Sequence, residues 1–98
     1  MIQMFFNCSS LTSLDLSSFN TKSVMSMNQM FYNCRELNSL NLSNFETSSC
    51  VNFNFMFYGC NKLISLDISN FDATKSSYIV DMFYNCSNLQ YINIQNFF

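Results

Sequence analysis

The chain has 98 residues, enough for one domain at most, and a compact chain of that length buries only somewhat over ~60% of its unfolded surface. Charged residues make up 10% of it, against about 25% in ordinary domains, and Asn and Ser supply the polarity instead, at 31 of 98 residues. Six acids and four bases leave a net charge of −2 and no basic patch to neutralise phosphates, which argues against nucleic acid as a partner, while no signal peptide and no run of ~18 apolar residues can be read.

The first patterned string is Met4-Phe5-Phe6-Asn7-Cys8. It returns as Met30-Phe31-Tyr32-Asn33-Cys34, Met56-Phe57-Tyr58-Gly59-Cys60 and Met82-Phe83-Tyr84-Asn85-Cys86, a constant step of 26 residues. A fixed period of this size marks a repeat array. Between the strings runs L-x-x-L-x-L-x-x-F, seen first as Leu11, Leu14, Leu16 and Phe19, then as Leu37, Leu40, Leu42 and Phe45. It recurs as Leu63, Leu66, Ile68 and Phe71, and as Leu89, Ile92, Ile94 and Phe97. Its inner part, as in Leu14-Asp15-Leu16, alternates apolar with polar and predicts a short strand with one buried face.

After Phe19 the rhythm changes. Val24, Met27, Met30, Phe31 and Cys34 form a stripe at helical spacing, repeated by Cys50, Phe53, Met56, Phe57 and Cys60. The third copy keeps Ile79, Met82, Phe83 and Cys86 but starts at Ser76, which predicts a weaker first turn. Thr21, Thr47 and Thr74, with Asn20 and Asp72 nearby, read as N-caps, and Asn7, Asn33, Gly59 and Asn85 as left-handed residues that stop each helix.

One unit is therefore expected to be strand, turn, short helix, turn, and it cannot bury both of its apolar faces alone. Stacking predicts an α/β repeat, with a parallel β-sheet on the concave side and short helices on the convex side. The expected core is Leu14, Leu16, Phe19, Met30, Phe31, Cys34, Leu40, Leu42, Phe45, Met56, Phe57, Cys60, Leu66, Ile68, Phe71, Met82, Phe83 and Cys86. Residues 1–98 read as one segment of about four repeats. The outermost units lack polar caps, so the reading expects a fragment of a longer array, partnered by neighbouring repeats, and expects the isolated chain to self-associate or to be marginally stable.

The string "LTSLDLSSFNTKSVMSMNQMFYNC" resembles the BspA-type leucine-rich repeat, the bacterial surface protein 26-residue repeat. That resemblance implies a leucine-rich-repeat solenoid and a place in long surface or secreted proteins of the adhesion type, which bind host or matrix proteins. The chain departs from the family pattern at Ser76, and its acidic residue after the phenylalanine survives only as Glu46 and Asp72, with Asn20 in the first unit.

For chemistry, the bland readings prevail. Cys8, Cys34, Cys60 and Cys86 form one column with Cys50 outside it; their spacing matches no zinc pattern and histidine is absent, so no metal or other cofactor is expected. Equivalent thiols on adjacent rungs point in parallel, so buried, reduced cysteines are expected rather than disulfides. Asp15 and Asp67, two rungs or about 10 Å apart, exceed the ~6.5–9.5 Å of an inverting carboxylate pair, and nothing nearby raises either pKa. A calcium site from Asp15, Asn41 and Asp67 would have its oxygens in a line, and the sequons at Asn7, Asn41 and Asn85 follow from composition. The Phe6, Tyr32, Tyr58 and Tyr84 column either covers a flank or offers a partner a sticky stripe.

Function is expected on the outward face of the strands: Ser13, Ser39, Ser65 and Tyr91; Asp15, Asn41, Asp67 and Asn93; Ser17, Ser43, Ser69 and Gln95. Aligned small polar groups there could bind an extended protein or glycan, or the face could simply be solvated. The reading is a non-enzymatic binding module, at a cell surface or secreted by the resemblance. The alternatives are a structural spacer in a longer surface protein and an intracellular, cytoplasmic protein-interaction scaffold.

Overall fold

A computed structural model describes residues 1–94 and 97. The 26-residue period is written into its hydrogen bonds. Segments 1–8, 27–34, 53–60 and 79–86 lie side by side, and each joins the next through alternate amides. Phe5, Phe31 and Phe57 donate to the carbonyls of Met30, Met56 and Met82 at 2.9, 2.9 and 3.0 Å. Asn7, Asn33 and Gly59 donate to Tyr32, Tyr58 and Tyr84 at 2.7, 2.7 and 2.8 Å. The intervening amides turn back within their own segment: Met30 to Met27, Tyr32 to Gln29 and Cys34 to Phe31, all at 3.2 Å.

This alternation replaces the expected helices. An α-helix sends every amide to the carbonyl four residues back, whereas here every second amide leaves the segment altogether. The backbone is bent to suit. Asn7, Asn33 and Asn85 have φ of 57, 57 and 60°, Gly59 has 74°, and a second left-handed column runs through Gln3, Gln29, Phe55 and Asp81 at 50 to 58°. Left-handed residues at every fourth position forbid a right-handed helix and produce consecutive three-residue turns instead. The stripe of Val24, Met27, Met30, Phe31 and Cys34 thus has helical spacing without a helix.

No helix occurs among the described residues, so the α/β solenoid with convex helices is corrected: the chain is a compact globule of turns, 30 × 24 × 20 Å, with one small sheet. The N-cap reading falls with the helices. Thr21 and Thr47 are buried and join neighbouring units, and Thr74 donates both its amide and its hydroxyl to Asp72 in a local turn.

The sheet is also smaller than expected. Strand β1 (Ser65–Asp67) pairs in parallel with β2 (Tyr91–Asn93), Ser65 against Tyr91, Leu66 against Ile92 and Asp67 against Asn93. The equivalent residues 13–15 and 39–41 form no strand. Near them the units touch through long backbone bonds, Asn38 to Thr12 and Ile64 to Asn38, both 3.4 Å. Side-chain amides do the joining instead: Asn44 Nδ2 donates to the carbonyls of Leu16 and Phe19, each at 3.0 Å, and Asn70 Nδ2 to Leu42 at 3.0 Å and Phe45 at 2.7 Å. Asparagine side chains compete with regular ladders for just these carbonyls.

The core lies between the turn side and the strand side. Leu16, Met30, Phe31, Cys34, Leu42, Phe45, Met56, Phe57, Cys60, Leu66, Ile68, Phe71 and Met82 are buried, and Leu14, Phe19, Leu40, Phe83 and Cys86 are half-buried against them. Phe5, Phe31, Phe57 and Phe83 form a ladder of near-parallel rings, with centroids 5.6, 5.5 and 5.8 Å apart. A second ladder joins Phe45 to Phe71 at 6.3 Å and Phe71 to Phe97 at 6.4 Å. One turn in every unit delivers its aromatic ring to the same place, in the offset stacking that aromatic quadrupoles favour.

Candidate functional site

Of the outward polar columns, Ser13, Asp15, Ser17, Ser39, Asn41, Ser43, Ser65, Asp67 and Tyr91 are exposed, Ser69 and Asn93 are half-buried, and Gln95 lies outside the described residues. The aspartates and asparagines of the middle column are held by their own chain. Asp15 Oδ1 accepts the Ser17 amide at 3.0 Å and its hydroxyl at 2.6 Å. Asn41 Oδ1 accepts the Ser43 amide at 3.1 Å, and Asp67 Oδ1 the Ser69 amide at 2.9 Å. Each is an Asx-turn, which fixes the side-chain oxygen and leaves the rest of the head group to solvent.

These bonds settle the electrostatics. The Ser17 hydroxyl, then its amide, holds the Asp15 carboxyl below its ordinary value of 3.8, and Ser69 does the same for Asp67. Both are ionised acceptors at neutral pH, the reverse of the raised pKa that a general acid needs.

Two equivalent clefts open where the strand ladder is missing. One, of about 270 Å³, is lined by Leu40, Asn41, Leu42, Ser43, Asp67, Ser69 and Asn70. The other, of about 140 Å³ and one unit earlier, is lined by Leu14, Asp15, Leu16, Ser17, Asn41, Ser43 and Asn44. Each has a leucine floor and a rim of carboxylate, amide and hydroxyl groups. A larger hollow of about 560 Å³ adjoins them around Asn44, Glu46, Asn70 and Asp72. The clefts bring together Asp15, Ser17, Asn41, Ser43, Asp67 and Ser69; Ser13, Ser39, Ser65, Tyr91 and Asn93 do not line them.

Asn44 and Asn70 were missed from sequence. They stand 26 residues apart, which was a usable signal, but Ser18 occupies the same place in the first unit and broke the column. The Leu40 and Leu42 floors were read only as core.

The cysteines form a different arrangement. The Cys34, Cys60 and Cys86 thiols donate to the carbonyls of Phe5, Phe31 and Phe57 at 3.1, 3.2 and 3.1 Å, each reaching into the preceding unit. All five cysteines are free. Burial pushes the Cys34 and Cys86 thiols up to about 11, and raises Cys50 and Cys60 as well. Such thiols are poor nucleophiles and poor metal ligands. Among the described residues no three His, Cys, Asp or Glu side chains gather as a metal site would need, and no helix is long and apolar enough to cross a membrane.

A family model described as "Mycoplasma protein of unknown function, DUF285" matches residues 1–97. The chain belongs to this family. The likeness to the BspA-type leucine-rich repeat is corrected accordingly: the matching family is a different one, and the described residues hold none of the convex helices of a leucine-rich-repeat solenoid. No curated protein and no solved structure matches the chain.

Proposed function

We propose that the chain is a non-enzymatic binding module of the adhesion type, acting at a cell surface or in a secreted protein, whose partner is an extended protein segment or a glycan lying across the strand-side clefts. One observation carries this reading: two clefts of the same composition recur one unit apart, each with a leucine floor and fixed Asx-turn oxygens. A surface that repeats its donors and acceptors suits a ligand that repeats too. Side chains already oriented by their own chain also lose little entropy on binding.

The depressed carboxylates support a binding role over acid–base catalysis. The other roles for this chain are a spacer and an intracellular scaffold. A glycan array and an immobilised peptide array, probed with the wild-type chain and with the combined variant Asn41→Ala, Asp67→Ala, Tyr91→Ala, test the clefts against the spacer reading. Loss of an array signal in the variant, with its fold intact, supports the clefts and the neighbouring Tyr91 as the site. An unchanged signal removes them, and no signal from the wild-type chain on either array favours the spacer.

A further inference from the structure

The few charges of this chain are unevenly placed. Asp15 and Asp67 stand on the rims of the two strand-side clefts, and Glu46 and Asp72 on the larger hollow beside them. Among the described residues no lysine or arginine lines any of the three. Lys62 is paired with Glu36 at 2.7 Å, Arg35 lines a separate hollow with Asn7 and Asn33, and Lys75 lies close enough to Asp72 to offset part of its charge. Asp15 and Asp67 are exposed and have no ion-pair partner among the described residues. Each cleft therefore sets a fixed negative charge above an apolar floor.

The spacing of those charges selects a backbone. Asp15 and Asp67 stand two units apart in one column, about 10 Å at the ~4.8 Å separation of neighbouring strands. A left-handed polyproline-type chain has three residues per turn and rises ~3.1 Å per residue, so every third side chain returns to one face about 9 Å further on. A β-strand returns to one face at about 6.6 or 13 Å and misses the pair.

We infer that the occupant of the clefts is a basic peptide segment in the polyproline-type conformation, with arginine or lysine at every third position. Successive cations meet Asp15 and Asp67, and aliphatic side chains between them rest on the Leu14 and Leu40 floors. Each cation takes the part of the head group that the Asx-turn leaves to solvent. The inference rests on the clefts being the binding site and narrows their partner to protein. Neutral sugars gain nothing from the charge, and acidic sugars are repelled by it.

Fluorescence anisotropy with labelled peptides tests this. The probe is a repeated arginine-proline-leucine triplet, and exchanging its arginines for glutamine should weaken binding at least about tenfold. On the protein, Asp15→Asn with Asp67→Asn removes both charges and keeps the turns, since Asn41 already makes the same turn with the Ser43 amide at 3.1 Å. That pair should also lose at least about tenfold, whereas Asn41→Asp adds a carboxylate to the column and should tighten binding. Glu36→Gln with Asp81→Asn removes as much charge at residues that do not line the clefts, and should stay within about twofold. Equal loss from the two double variants, or equal binding of the arginine and glutamine peptides, overturns the inference. If the glutamine peptide or an oligosaccharide binds in place of the arginine peptide, and the combined alanine variant loses it, the basic occupant is wrong and the clefts remain the site. If no peptide and no oligosaccharide binds, both readings fail.

Discussion

Thr47 shows how single residues hold the units together. Its hydroxyl donates to the Asp72 carbonyl at 3.1 Å and accepts the Asp72 amide at 2.7 Å, so one buried oxygen satisfies both polar groups of a residue 25 positions away. Thr21 does the same for Glu46 at 2.9 Å in each direction. Thr47→Val keeps the shape and removes the hydroxyl, leaving the Asp72 amide and carbonyl without that partner, and should lower stability by about 1–3 kcal/mol in urea unfolding. Gly59 is another fixed point. It has φ of 74°, and an added Cβ there would overlap Oδ1 of Asn33, in a column that elsewhere carries asparagine.

At the scale of the element, legibility followed how strongly each residue type prefers one backbone state. Asn7, Asn33, Gly59 and Asn85 were readable as left-handed because asparagine and glycine favour that state, and they are left-handed. The helix assigned before them was wrong because three members of the second left-handed column, Gln3, Gln29 and Phe55, carry no such preference and are held there by bonds to the neighbouring unit; Asp81 is the fourth. Leu16, Leu42 and Leu66 face inward as the alternation expects, but among the described residues β1 and β2 are the only paired strands, and the Asn44 and Asn70 side chains join the earlier units. The cleft rims at Asp15, Asn41 and Asp67 were legible from period-two alternation, whereas their Asx-turns depend on where Ser17, Ser43 and Ser69 come to lie.

The thiol column is a turn-side feature that responds to pH. Folding favours the neutral thiol, so the folded pKa of Cys34 and of Cys86 lies above its ordinary value of 9.0, at about 11. Their contribution is complete below about pH 9 and is lost as pH rises toward 11. Unfolding midpoints should be flat in these groups from neutral pH to about 9 and fall above it, and a cysteine-to-serine exchange at Cys34 and Cys86 should flatten that fall. A thiol reagent at neutral pH should label the buried Cys34, Cys50 and Cys60 only as fast as the chain opens.

For the whole molecule, tight junctions and open clefts are divided between two sides. The turn side carries the repeated short bonds between units and the ring ladder beneath them, while the strand side is joined by asparagine side chains and left open as clefts. Under the proposed function, that division makes room for a ligand without unpairing a sheet. Residue-resolved amide hydrogen exchange tests it most directly. Slow exchange is expected for the amides of Phe31, Asn33, Phe57 and Gly59, which donate between units, and fast exchange for Asn41 and Leu42 beside the open cleft. Protected amides at residues 40–42 together with rapid exchange at Phe31 and Phe57 would contradict it.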